Sequence, residues 1–98
     1  MKRVVITGLG TINSIGHSVN ESFEAAVNGV CGIDTITLFD ISDFSVQIAG
    51  EVKNFDPETV MDKKEVKKAD RFIQLGIKAA QEAMIDSGFI TIDNKKVD

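Results

Sequence analysis

The sequence predicts an α/β fold, and three observations carry that prediction. A β-branched run, Val4-Val5-Ile6, stands near the start and ends in Gly8-Leu9-Gly10. Val46, Ile48 and Val52 alternate with Gln47, Ala49 and Glu51. From Arg71 to Ser87, apolar residues recur at helical spacing.

The first element is a strand over residues 3–7. Its apolar residues are consecutive, the pattern of a strand covered on both faces. Gly8-Leu9-Gly10 then offers a sharp turn or a close approach of two backbones. Ser18 opens a helix with a capping box, because Glu21 three residues on can return a bond to the cap residue's backbone N–H. Phe23, Ala26, Val27 and Val30 form the stripe of that helix, and Gly29 or Gly32 closes it. Residues 33–44 lack a period and read mostly as loop. The alternation at residues 46–52 is a second strand with one wet face, with Gly50 at a bulge or close contact.

Asp56-Pro57-Glu58 starts a short helix, with an acid at the cap and proline at the first helical position. Asp62 with Glu65, and then Asp70, repeat the capping pattern, so residues 63–69 form a basic turn leading into the longest helix. Phe72, Ile73, Gly76, Ile77, Ala80, Ala83 and Met84 form its stripe, with Gly76 and the alanines admitting close backbone packing, and Gly88 stops it. Phe89, Ile90 and Ile92 lead into a polar connector. Two strands are too few for an independent sheet. The expectation is a segment of something longer.

Composition narrows the function. The chain has 98 residues, 43% apolar and 27% charged, which suits one small domain with a thin core. No apolar run approaches the roughly 20 residues of a membrane span. Thr7 and Gly8 interrupt the start before a secretory signal could form. These readings point to a cytoplasmic protein without a membrane partner. A single cysteine, Cys31, and a single histidine, His17, leave no internal disulfide and no metal cluster. The net charge is −4, yet residues 63–71 carry five positive and two negative charges. With no Trp or Tyr, that basic turn fits an acidic protein better than nucleic acid.

Three candidate sites weigh little on the residues alone. Gly8 and Gly10 sit where a dinucleotide fingerprint would begin, with Asp40 downstream as a ribose-binding acid, but the third glycine position holds Asn13 and Gly16 comes too late. A Rossmann-like nucleotide-binding unit is therefore the alternative reading. Cys31 follows a helix C-terminus, where the dipole disfavours a thiolate. His17 has no partner at ligand spacing.

Read together, three stretches and a fourth resemble one family. They are residues 2–10, Phe39-Asp40 with Ser42-Asp43-Phe44, residues 48–58, and Lys63-Lys64-Glu65 with residues 67–74 and the helix to Gly88. The family is the bacterial β-ketoacyl-[acyl-carrier-protein] synthases of type II, and Phe72-Ile73-Gln74 sides with synthase II over type I. The resemblance covers nearly all of residues 1–98 and implies the N-terminal portion of the first half of a thiolase-like, αβαβα-layered fold, with the rest of the synthase absent.

The implied parent is a homodimeric acyltransferase of fatty-acid biosynthesis. It would condense an acyl-enzyme thioester with malonyl-acyl carrier protein, releasing carbon dioxide, and no cofactor is expected. A Cys-His-His set performs that chemistry, the thiolate holding the acyl group and the imidazoles stabilising developing negative charge. The resemblance places all three beyond Asp98, so no catalytic residue is expected here and the piece alone would be inactive. Cys31 lacks the Ala-Cys-Ser/Thr context of the nucleophile, and His17 lies outside both histidine motifs. The resemblance does place part of the dock for acyl- and malonyl-loaded carrier protein here, on Lys64, Lys67 and Lys68. Lysine stands at position 67 where the family has arginine, which loses bidentate pairing, and Ala69 stands where methionine is common.

Overall fold

A computed structural model describes residues 2–89. Helix α1 spans Val19–Val27, strands β1 and β2 span Ile33–Thr35 and Ile48–Gly50, and a 3-10 turn covers Pro57–Thr59. Helices α2, Lys63–Lys68, and α3, Arg71–Asp86, complete the order. The α/β composition expected from the sequence is present.

Local chemistry explains the helix ends. The Ser18 side chain accepts the Glu21 N–H at 3.1 Å, the first half of the predicted capping box. The return bond differs: the Glu21 carboxylate takes the N–H of His17 at 3.4 Å, one residue before the cap. Gly29, not Gly32, closes α1, at φ 71°. Its N–H bonds to Ala26 O at 3.1 Å and the next N–H, of Val30, to Ala25 O at 2.9 Å, which together form a Schellman motif. The same pair of bonds ends α3, from Gly88 to Ile85 O and from Phe89 to Met84 O.

The segment expected to be the first strand is the main correction. Residues 3–7 belong to no sheet, and Val4 is 97% exposed. A strand requires a partner to bond its backbone, and among the described residues the two strands pair with each other. Residues 8–11 instead lie against α3. The Leu9 N–H donates to Asp86 Oδ2 at 3.0 Å and the Thr11 N–H to Glu82 Oε1 at 2.9 Å. A Cβ at Gly8 would collide with the backbone of Ala83 and Ser87, and one at Gly10 with that of Ala79 and Ala83. The two glycines therefore serve a close backbone crossing. On α3 it is the alanines that admit this approach, whereas Gly76, also expected to pack closely, faces open space.

The second strand stands where the alternation put it, though shortened. It pairs antiparallel with β1, a strand in the stretch read as loop, in the register Ile33 with Gly50, Asp34 with Ala49 and Thr35 with Ile48. The Ile36 N–H to Gln47 O bond extends the ladder at 2.9 Å. Gly50 makes the expected close contact, since a Cβ there would press on Ile33 and Ser14. Beyond it Glu51 accepts the Thr37 N–H and hydroxyl and the Leu38 N–H, which ties the intervening loop down.

No apolar side chain is buried among the described residues. Phe23 and Val27 of α1 are mostly exposed, as is Phe72 of α3, so neither helical stripe is covered. The thin core expected from chain length is thinner than anticipated. The connector after Phe89 lies outside the described residues.

Candidate functional site

The basic turn is a helix of its own. Upstream, the Asp56 side chain accepts the Glu58 N–H at 3.0 Å and caps the 3-10 turn that Pro57 begins. The chain then enters α2 at Asp62 and leaves it at Ala69, whose backbone is extended at φ −97° and ψ 132°. Asp62 and Asp70 occupy the N-cap positions of α2 and α3 as the sequence suggested, but neither side chain makes a capping bond.

At about 100° per residue, Lys63, Lys67, Lys64 and Lys68 fall within an arc of about 140° on α2. All four are exposed, while Val66 and Ala69, on the opposite side, are half-buried. The structure thus brings the three candidate docking residues, Lys64, Lys67 and Lys68, onto one solvent-facing arc. Glu65 and the cap acids lie outside it.

What holds this arc in place was only partly visible in the sequence. Gln74, 7% exposed, donates its side-chain amide to Val66 O at 3.3 Å and Ala69 O at 3.2 Å, joining α3 to the end of α2. Its signal was a polar residue inside an apolar stretch, Phe72-Ile73-Gln74-Leu75. Next to it the Arg71 guanidinium lies 5.3 Å from the Phe55 ring centroid and donates to Val52 O at 3.4 Å. His17 meets the same ring edge-on at 6.3 Å, and its Nε2 bonds to Lys53 O. These contacts moor the first turn of α3 to the strand exit and to the approach to α1.

The remaining candidates find local roles. Asn13 does not stand in for a fingerprint glycine; it builds a tight turn, with its Oδ1 accepting the Ile15 N–H and its N–H bonded to Gly16 O. Gly8 and Gly10 are pressed on α3, and the Leu9 and Thr11 amides of the same turn donate to the Asp86 and Glu82 carboxylates, so the nucleotide-binding alternative is not favoured. Asp40 accepts the Ser42 N–H at 3.0 Å, and that backbone bond, with a second from the Ser42 hydroxyl, holds its carboxyl below the usual range. Cys31 is exposed after α1, its Sγ 3.8 Å from Ile33 O.

A cleft of about 160 Å³ lined by Asn13, Ser14, His17, Glu21 and Lys53 is smaller than the roughly 300 Å³ at which small-molecule sites begin. Among the described residues, no three His, Cys, Asp or Glu side chains converge as metal ligands, and no helix is long and apolar enough to cross a membrane.

Comparison with known proteins bears on the whole chain. The family model described as "Beta-ketoacyl synthase, N-terminal domain" matches residues 1–98. The 3-oxoacyl-[acyl-carrier-protein] synthase 2 of Staphylococcus aureus strain N315 is 50% identical over 93 residues, covering 95% of this chain and 22% of the relative. Its counterpart in strain COL is 51% identical over 86 residues, 88% of this chain and 21% of the relative. A 3-oxoacyl-[acyl-carrier-protein] synthase 2 from Coxiella burnetii strain RSA 493 is 45% identical over 87 residues, again 21% of the relative. The chain spans about a fifth of the length of these curated relatives.

Proposed function

The chain belongs to the β-ketoacyl synthase family, matching its N-terminal domain, and on that premise we propose that it serves a 3-oxoacyl-[acyl-carrier-protein] synthase by presenting a docking face for the carrier protein. The observation that carries this reading is the exposed basic arc of α2, with Lys64, Lys67 and Lys68 on one side and none of the family's catalytic signatures around Cys31 or His17.

In this reading the parent polypeptide has the relatives' length, a thiolase-like fold and a homodimeric, cytoplasmic state. The condensing cysteine and two histidines lie on residues other than these 98. The acyl group passes from its carrier-protein thioester to the cysteine thiolate, releasing the carrier's thiol. Malonyl-acyl carrier protein loses carbon dioxide, and the resulting enolate attacks the acyl-enzyme thioester, expelling the cysteine thiolate and giving the 3-oxoacyl product on the carrier protein. The carrier protein must arrive and leave at every transfer. A small cluster of lysine point charges suits that traffic, because it steers encounter and fixes register without the tight grip of bidentate arginine pairs.

Steady-state kinetics on the full-length protein test this. Replacing Lys64, Lys67 and Lys68 together by glutamate is expected to raise KM for malonyl- and acyl-carrier protein by about tenfold at low salt, with the gap narrowing as salt screens the charges. The kcat should change little. Unaltered KM in the triple variant refutes the docking face, and absence of any 3-oxoacyl product from the unmodified protein refutes the synthase reading.

A further inference from the structure

We propose that Gln74 is a positioning residue for the carrier-protein dock: its buried amide fastens the C-terminal end of α2 to α3 and so fixes the direction in which Lys64, Lys67 and Lys68 face. This inference rests on the docking role of those lysines.

Helix α2 has six residues, well short of the roughly 12 at which isolated helices become even marginally stable in water. Its N-terminus draws no bond from the Asp62 side chain. At the other end the last carbonyls have no helical partners. Glu65 O receives the Ala69 N–H at 3.0 Å, but the chain turns extended at Ala69 and leaves Val66 O without a following helical amide. Gln74 fills that place. Its Nε2 donates to both Val66 O and Ala69 O, from a side chain more than nine-tenths buried. Two carbonyl acceptors require a two-proton donor, which the amide provides and an ionised carboxylate cannot. The bonds also join the end of α2 that carries Lys67 and Lys68 to the first turn of α3, which Arg71 moors to Phe55 and Val52. Without them the exit of α2 frays and the lysine arc loses its bearing.

Gln74→Met keeps length and volume and removes both donors. In the full-length protein its KM for malonyl- and acyl-carrier protein should rise about fivefold, the loss expected for buried hydrogen bonds, with kcat retained. Combined with the triple Lys→Glu replacement it should add no further rise. Gln74→Glu provides a second readout: near about pH 5.5, where a buried carboxyl keeps one proton and can replace one of the two bonds, its KM relative to wild type should fall below that of Gln74→Met without reaching one, and it should climb toward about pH 8 as that proton leaves. If Gln74→Met does not fold, the Gln74→Glu series decides. Wild-type KM in Gln74→Met, a fall in kcat alone, or a pH-independent Gln74→Glu ratio overturns the inference. Should the triple lysine variant raise KM while Gln74→Met does not, the dock stands and the positioning role falls. If the triple variant is silent, both fall.

Discussion

Glu82 holds three parts of the chain with one carboxylate. Oε1 accepts the Thr11 N–H, and Oε2 accepts the N–H of Val19, the first residue of α1, at 2.8 Å. A negative group at that position also complements the positive end of the helix dipole. Glu82→Ala should therefore lower unfolding free energy by about 2 kcal/mol, the range for a charge-assisted bond left unmade, read by urea denaturation. Gly10→Ala should displace residues 8–11 from α3, because the new methyl meets backbone atoms that cannot rotate away. Loss of the amide-exchange protection of Thr11 would record it. Glu51 carries a pH dependence: burial works upward on its carboxyl, but the bonds from Thr37 and Leu38, with the nearby Lys53 charge, outweigh it and hold the group below the usual range. A lowered folded value means its stabilising effect is complete above the ordinary carboxylate range and is lost as pH falls through the folded value. The Thr37 and Leu38 amide resonances should follow that loss on acidification. None of these partnerships was legible in the sequence. Thr11 and Glu82 are 71 residues apart, and an acid in a helical pattern reads as solvated surface until its partner is located.

Helix boundaries, by contrast, were readable because their determinants lie within a few residues of one another. Ser18 with Glu21, Pro57 behind Asp56, and Gly29 and Gly88 in left-handed turns mark ends that no distant contact must establish. Gly29→Ala tests one of them. A Cβ there meets nothing within 4 Å, so the expected cost of about 1 kcal/mol is purely the left-handed backbone, and a modest drop in Tm without loss of helical circular dichroism would show it. Strands fared differently. Ile33–Thr35 has three residues and no alternation, and it is a strand because Ile48–Gly50 lies alongside. Val4-Val5-Ile6 has the stronger composition and, among the described residues, no neighbour to pair with. Pairing is a property of two segments, so composition alone misassigned both. The basic arc of α2 was legible as charge but not as geometry, since the buried amide that orients it looks like any glutamine near a helix start.

Across the whole molecule, the described residues bury no apolar side chain, and the Cα radius of gyration is 16.4 Å where a compact chain of this length would have about 13 Å. Val4, Val5 and Ile6 are each more than two-thirds exposed, with an unpaired backbone between them. Such an edge invites another strand. The 98-residue chain by itself is expected to self-associate, giving a light-scattering mass above 10.6 kDa, and Val5→Lys should return it toward monomer. A monodisperse monomer of the unaltered chain would contradict this. Composition had announced a thin core, and the α/β class held, but the extent of uncovered surface depends on which segments find each other. The hydrogen bonds from Leu9 to Asp86 and from Thr11 to Glu82 set a schedule as well as a structure. On a ribosome adding about 5–20 residues each second, the 77 residues between Leu9 and Asp86 take roughly 4–15 s to make. Residues 8–11 thus reach their places on α3 only after Asp86 has been made, and throughout that interval the exposed apolar run beside them is a part of the nascent chain a chaperone would meet.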